Sequence, residues 1–226
     1  MSRLWLPRDH RTRIYTRPRR LQLGMFSPAL LGVIAARARS VPSTFISSAS
    51  LGLGAVVAGD LVLLFRVNTS TSTPAPSGWT RNFQTTNALG YDLAVYSSIY
   101  SGSNAAANTT NFPVDLGYFF TAVYRGQTAV AQVGALATNT SLSVVATALS
   151  STTSGVLLGW ASSRDSGVNT HSSSGMATRF SHPNGTYVYF SAALFDQTGS
   201  QSGSRTFSRT SAPNSYNYDG LLLEIS

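Results

Sequence analysis

From Ser40 onward the chain repeats one pattern, in which short runs rich in Val, Leu, Tyr, Phe and Thr alternate with clusters of Gly, Pro, Asn and Ser. Runs of this kind, each bounded by turn-forming residues, are typical of antiparallel strands that pack as a sandwich. The pattern predicts an all-β body over residues 41–226. The expected strands lie near 42–47, 60–67, 79–84, 91–100, 117–124, 129–136, 141–147, 155–163, 175–181, 186–195, 203–209 and 219–225.

The body is long enough to bury roughly two-thirds of its unfolded surface in one core, so it needs no covalent staple. The sequence has no cysteine, which excludes disulfides, thiolate catalysis and cysteine zinc sites. No apolar run reaches about 20 residues, so we expect no segment that spans a bilayer and no membrane partner.

The charge is divided unevenly between the two parts of the chain. Nine arginines and one acid, Asp9, lie within residues 1–39, which gives this segment the whole formal charge of +8. From residue 40 onward seven arginines face seven acids, and the chain has no lysine. Arginine is suited to bidentate contacts with carboxylate and phosphate. The sequence therefore predicts two parts: a basic N-terminal arm over residues 1–40 and a neutral body over 41–226.

The first part of the arm is predicted to be extended, because Pro7 and Pro18 restrict their neighbours and the arginines repel one another. Ser27-Pro28 has the form of a helix N-cap followed by proline at the first helical position. Apolar residues follow, with Arg37 and Arg39 where cations favour a helix C-terminus. We expect a short helix over 28–38, which Gly32 weakens.

Residues 21–40 also have some features of a targeting signal, since basic residues precede an apolar run that ends in small residues. Gly24 and Pro28 interrupt the apolar run, and the basic region before it is long. An Arg-rich, acid-poor transit peptide is the other targeting interpretation. We favour an arm that stays with the body.

Two segments of the body resemble each other weakly. The first segment is VVAGDLVLLF, followed along the chain by SGWT, and the second is TTSGVLLGW, followed by SGMAT. Each therefore contains a turn, an expected buried strand, and then Gly, a large apolar residue and Thr. This pattern is compatible with duplicated sheet halves.

A series of short motifs follows one another along the body: GDLVLLF (59–65), PSGWT (76–80), VYSSIYSG (95–102), YFFTAVYRG (118–126), SGVLLGWASS (154–163), SGMATRF (174–180), a late strand rich in Phe and Ala, and GLLLEIS (220–226). In its order and spacing the series resembles a jelly-roll or lectin-like sandwich family of tailed-phage virion proteins and some bacterial surface proteins. The resemblance covers roughly residues 42–226.

The resemblance implies a jelly-roll sandwich that acts as a decoration, head-fibre or adhesion module of a virion, without enzymatic activity and without a cofactor. The arm is not part of the module, so its role must come from its own chemistry. We expect the arm to bind another virion protein, a capsid, neck or tail component. Repeated contacts of this kind favour a symmetric homo-oligomer.

Apolar residues are interleaved with the arginines of the arm, which favours anchoring in apolar pockets together with charge-assisted hydrogen bonds. The alternative is a small jelly-roll capsid protein whose arginine arm neutralises packaged nucleic acid. The residues predicted to anchor the arm are Arg3, Trp5, Leu6, Arg8, Arg11, Arg13, Ile14, Tyr15, Arg17, Arg19 and Arg20.

Catalytic and metal-binding patterns are weak. No G-x-S-x-G elbow is present to hold a serine nucleophile, and His171 and His182 are expected in exposed loops or at strand ends. The three histidines lack metal-ligand spacing, and the acids are dispersed except for Asp219 and Glu224 on the last strand. We therefore predict no catalytic and no metal-binding residues.

The body could also bind a glycan on a host surface. Glycan binding would equally fit the alternative that the protein is a secreted glycan-binding module. Tyr216 and Tyr218, in APNSYNYDG, lie in the most loop-like of the aromatic stretches. These two residues are the candidates for stacking on a sugar.

Overall fold

The structure is a computed structural model. It describes residues 29–36, 57–68, 75, 78–87, 90–101, 117–150, 155–164, 169–182, 190–198, 202–211 and 217–226, with the backbone alone for 29–36 and 117–119.

These residues form strands and no helix. The strands are β1 (Ala29–Ala36), β2 (Leu61–Asn68), β3 (Thr80–Thr86), β4 (Asp92–Ile99), β5 (Gly117–Arg125), β6 (Val130–Val133), β7 (Ala137–Asn139), β8 (Ser143–Ala146), β9 (Val156–Arg164), β10 (His171–Ser173), β11 (Ala177–His182), β12 (Phe190–Thr198), β13 (Arg205–Arg209) and β14 (Tyr218–Ile225).

The strands form three antiparallel sheets. The five-stranded sheet has the order β1-β5-β2-β4-β3, and the six-stranded sheet has the order β11-β12-β9-β14-β6, with β7 also paired to β14. The three-stranded sheet has the order β10-β13-β8. Strands β2 and β9 carry the weak internal resemblance. Each is third in the order of its sheet, with two strands on each side.

The main core lies between the five-stranded and six-stranded sheets. Alternate residues of β2 (Leu61, Leu63, Phe65 and Val67) point into it and meet alternate residues of β9, so that Phe65 contacts Trp160 edge to face, with 5.5 Å between ring centroids. This is the alternation expected of a strand with one face toward the core.

A second core lies on the opposite face of the six-stranded sheet, against the three-stranded sheet. Its centre is Phe207 of β13, which stacks on Phe195 with ring centroids 5.5 Å apart. Gly159 and Gly220 lie beneath this ring, and a Cβ atom on either glycine would come within 2.8 Å of it. The six-stranded sheet is therefore covered on both faces, which explains why β9, β12 and β14 are buried along almost their whole length.

The predicted all-β class with antiparallel sheets is confirmed, and the jelly-roll topology stays a prediction. Each expected strand within the described residues has an observed strand at its position. The strand expected at 42–47 lies outside the described residues. The sequence missed β7 and β10, which have three residues each and are too short for a periodic pattern.

The helix predicted over 28–38 is wrong, because residues 29–36 form β1 and pair with β5 in the five-stranded sheet. The run is almost entirely apolar, so periodicity could not separate a helix from a strand. Gly32 disfavours a helix, while Val33 and Ile34 favour a strand, and the edge of β5 supplies a backbone partner. This part of the predicted arm therefore belongs to the sheet.

Candidate functional site

The residues predicted to anchor the arm lie outside the described residues. This holds for every member of the set: Arg3, Trp5, Leu6, Arg8, Arg11, Arg13, Ile14, Tyr15, Arg17, Arg19 and Arg20. Tyr216, the first glycan candidate, also lies outside them.

Tyr218, the second glycan candidate, does not lie in an exposed loop. It is the first residue of β14 and is fully buried in the second core, beside the ring of His171. A sugar cannot stack on a ring that is already enclosed on both faces, so this assignment is corrected. The loop-like composition before Tyr218 obscured the start of a buried strand.

All seven arginines of the body make contacts within the body. Three of them form ion pairs with acids that are almost completely buried. These acids require a partner, because a buried carboxylate is costly to leave unpaired. The pairs are Arg66–Asp92, Arg125–Asp60 and Arg179–Asp196, with N–O distances of 3.6, 3.0 and 2.6 Å.

The other four arginines bind neutral groups. Arg81 donates to Gln84, and Arg205 donates to Gln197 and to nearby backbone carbonyls. The guanidinium of Arg164 lies over the ring of Tyr91. Arg209 is buried, and it donates to Ser163 and to the carbonyls of residues 140 and 141. Each cation of the body thus has at least one partner within the body.

His171 is buried on β10, which corrects the expectation of an exposed histidine. Its Nε2 lies 2.9 Å from the Ser191 hydroxyl, and its Nδ1 lies 3.3 Å from the Tyr218 hydroxyl. Burial, with a smaller effect of the Arg209 guanidinium, lowers the pKa of His171 to about 4. The imidazole is therefore neutral at neutral pH.

The Ser191–His171 contact has the spacing of a nucleophile and its base, but both groups are enclosed between two sheets. The other ring nitrogen faces a phenol rather than the carboxylate that orients a catalytic histidine. The contact gives each of these two buried polar side chains a hydrogen-bond partner. His182 ends β11, and its ring lies parallel to that of Phe180.

Asp219 joins the two larger sheets. Its carboxylate accepts hydrogen bonds from Thr138 Oγ1 at 2.7 Å and from Asn87 Nδ2, just after β3, at 3.0 Å. Burial raises the pKa of Asp219 to about 6, against the opposing effects of these two donors and of Arg209. Glu224 lies five residues further along the same strand and so points to the other face of the sheet. These two acids cannot flank one glycosidic bond.

An open groove of about 430 Å³ lies along β3, the last strand of the five-stranded sheet. Gln84 crosses its floor, where Nε2 donates to Asp92 Oδ1 at 2.7 Å and Oε1 accepts from Arg81 at 2.6 Å. Asp92 is buried and also pairs with Arg66, so Gln84 connects Arg81 to a buried ion pair. Most of the side chains that line the groove are polar.

The sequence contains one indication of this groove. The stretch TRNFQTT, residues 80–86, has a single large apolar residue, Phe83, among polar ones, which is typical of an edge strand exposed to solvent. Its connection to Asp92 and Arg66 depends on the pairing of three strands and could not be obtained from the spacing of these residues.

Within the described residues, no group of three or more histidine or acidic side chains is arranged to hold a metal ion. That same part of the chain contains no helix long and apolar enough to cross a membrane.

Comparison of the chain with family models, with curated proteins and with solved structures found no match. The function must therefore be argued from the geometry, the charge distribution and the order of the motifs in the sequence.

Proposed function

We propose that the protein is a non-enzymatic structural protein of a tailed-phage particle. Its N-terminal arm is held by a capsid, neck or tail protein, and its sandwich is displayed outward to stabilise the particle or to contact a host surface. The observation that carries the proposal is the division of charge: the arginines of the body are engaged within the body, while residues 1–39 hold the whole net charge of +8.

The contacts of the body explain why this division matters. Arg66 and Arg209 are buried, and the arginines at the surface bind an acid, an amide or an aromatic ring of the same molecule. Partners that carry many acidic groups would therefore be attracted mainly to the arm.

The composition of the arm favours a protein partner. Trp5, Leu6, Ile14 and Tyr15 are spaced between arginines, so one extended segment offers apolar anchors together with bidentate donors. Phosphate neutralisation needs charge alone and gives no role to these apolar residues.

The connection between arm and body also supports anchoring. β1 lies within the predicted arm, after the residues predicted to anchor it, and is the last described strand at one side of the five-stranded sheet, paired to β5 over residues 29–36. A load on the arm would be transmitted to the sheet through the hydrogen bonds of this strand pair.

A peptide of residues 1–28, fused to an unrelated soluble carrier, tests the proposal. We expect the fusion to bind particles assembled without this protein, and a fusion with the arm arginines replaced by glutamine to bind much more weakly. If the carrier gains no affinity for such particles, the arm is not the anchor.

The nucleic-acid alternative rests on the same charge and has its own test. Binding of the fusion to DNA or RNA would weaken steeply with salt, with a log–log slope set by the number of phosphates contacted. Binding to particles through apolar pockets depends less on salt. A steep slope with nucleic acid, together with no binding to particles, would favour the capsid-arm alternative.

A further inference from the structure

The groove along β3 lies on an open strand edge that an extended peptide cannot readily continue. Among the described residues β3 pairs with β4 on one side only, and the register shifts between Arg81 and Phe83, which leaves Asn82 at a bulge. A bulge interrupts the regular ladder of backbone groups that strand addition requires. A ligand in this groove must therefore be recognised through side chains.

The side chains that line the groove are amides, hydroxyls, one guanidinium, the ring of Phe83 and the carboxylate of Asp92. Asn82, Gln84, Thr85 and Thr86 supply both donors and acceptors. Asn82 Oδ1 is buried and has no hydrogen-bond partner within the described part of the chain. This lining fits the hydroxyl groups of a sugar better than the apolar side chains of a peptide.

The groove also carries a fixed positive charge. The charges of Arg66 and Asp92 balance each other, and Arg81, which is connected to Asp92 only through Gln84, adds a charge of +1. Gln84 holds Arg81 through NH1, and the other N–H groups of this exposed guanidinium have no hydrogen-bond partner among the described residues. A planar carboxylate is the group that such a fork binds best.

We propose that this groove binds a carboxylate-bearing sugar, a uronic or sialic acid residue of a glycan chain. Arg81 forms a bidentate pair with the sugar carboxylate, and Asn82 and Thr86 hydrogen-bond to its hydroxyls. Gln84, backed by Asp92, is a positioning residue that fixes the orientation of Arg81. The proposal concerns the sandwich alone and holds whether or not the arm anchors the protein.

The test measures binding of the full-length protein to 3′-sialyllactose and to lactose by calorimetry. The two sugars differ by one acidic residue, and a single carboxylate keeps attraction to the basic arm small. We expect binding of sialyllactose and little binding of lactose. Replacement of Arg81 by Gln should weaken sialyllactose binding about tenfold or more, the loss expected when one charge-assisted hydrogen bond is removed.

Two further variants and one further sugar make the result specific. Arg205→Gln removes a cation of the three-stranded sheet and should leave affinity unchanged, which excludes a general effect of net charge. Arg81→Lys keeps the charge but loses the fork, so it should bind with intermediate affinity. Galacturonic acid trisaccharide, set against galactotriose, repeats the comparison for uronic acids.

Three results would overturn the proposal. They are equal binding of acidic and neutral sugars, full affinity in Arg81→Gln, and an equal loss in Arg205→Gln. Binding of an acidic peptide at the groove in preference to all of these sugars would also count against it. None of these results bears on whether the arm joins particles.

Discussion

Replacement of Gly159 by alanine tests whether the three-stranded sheet packs on the six-stranded sheet as described. A Cβ atom at Gly159 would lie 2.7 Å from Cε1 and Cζ of Phe207 and 3.2 Å from the sulfur of Met176. Ordinary carbon contacts are about 3.5–4.0 Å, so the ring would have to move by nearly 1 Å. Overpacking of this kind costs about 1–3 kcal/mol.

A smaller effect opposes this cost. Alanine restricts the unfolded chain more than glycine does, which favours the folded state by about 0.5–1 kcal/mol where the site can accept a methyl group. We therefore expect Gly159→Ala to lower the free energy of unfolding by about 1–2 kcal/mol, measured by urea denaturation. For a chain of this size, each kcal/mol lowers the melting temperature by about 2–4 °C.

A double-mutant cycle with Phe207→Leu isolates the contact. Leucine lacks the ring atoms that clash, so Gly159→Ala should cost close to nothing in that background, and the coupling should be about 1–2 kcal/mol. If Gly159→Ala costs the same with Phe or Leu at position 207, to within about 0.5 kcal/mol, the ring does not lie over the glycine and the second core is wrong.

The remaining predictions concern the two buried titrating groups. The neutral form of His171 is favoured in the fold, so its contribution to stability is complete above pH 6.5 and is lost as the pH falls toward about 4. The protonated form of Asp219 is favoured in the fold, so its contribution is greatest below pH 3.8 and is lost as the pH rises through about 6. Each shift corresponds to about 3 kcal/mol, and between pH 4 and 6 the two oppose each other. We expect His171→Gln to become more stable on acidification across this range and Asp219→Asn to become less stable, relative to the wild type in urea titrations. Parallel stability curves for all three proteins would show that neither group is buried as described.

The sequence predicted the strands of the body well because each is a contiguous apolar or alternating run between turn residues, and this information is local. β2 and β9 are the clearest cases, since both are buried along almost their whole length. The division of the sandwich into three sheets was not predictable in the same way. It depends on which face of β9 meets Phe65 and which meets Phe207, a matter of long-range pairing.

β1 and the groove show why other features were missed. β1 is an apolar run whose structure is decided by the edge of β5 and not by its own periodicity. The groove depends on Asp92, which is buried between Arg66 of one neighbouring strand and Gln84 of the other. Residues of three strands meet there, so no local motif could indicate the site.

The proposal that the arm, and not the sandwich, attaches the protein to particles is tested most directly by deletion of residues 1–26. This truncation ends before β1 begins at Ala29. We expect the truncated protein to melt at the same temperature as the full chain and to be missing from purified particles. Its melting curve shows that the sandwich is intact, so that its loss from particles can be assigned to the arm. A truncated protein that still joins particles at full occupancy would contradict the account, because the sandwich would then carry its own attachment.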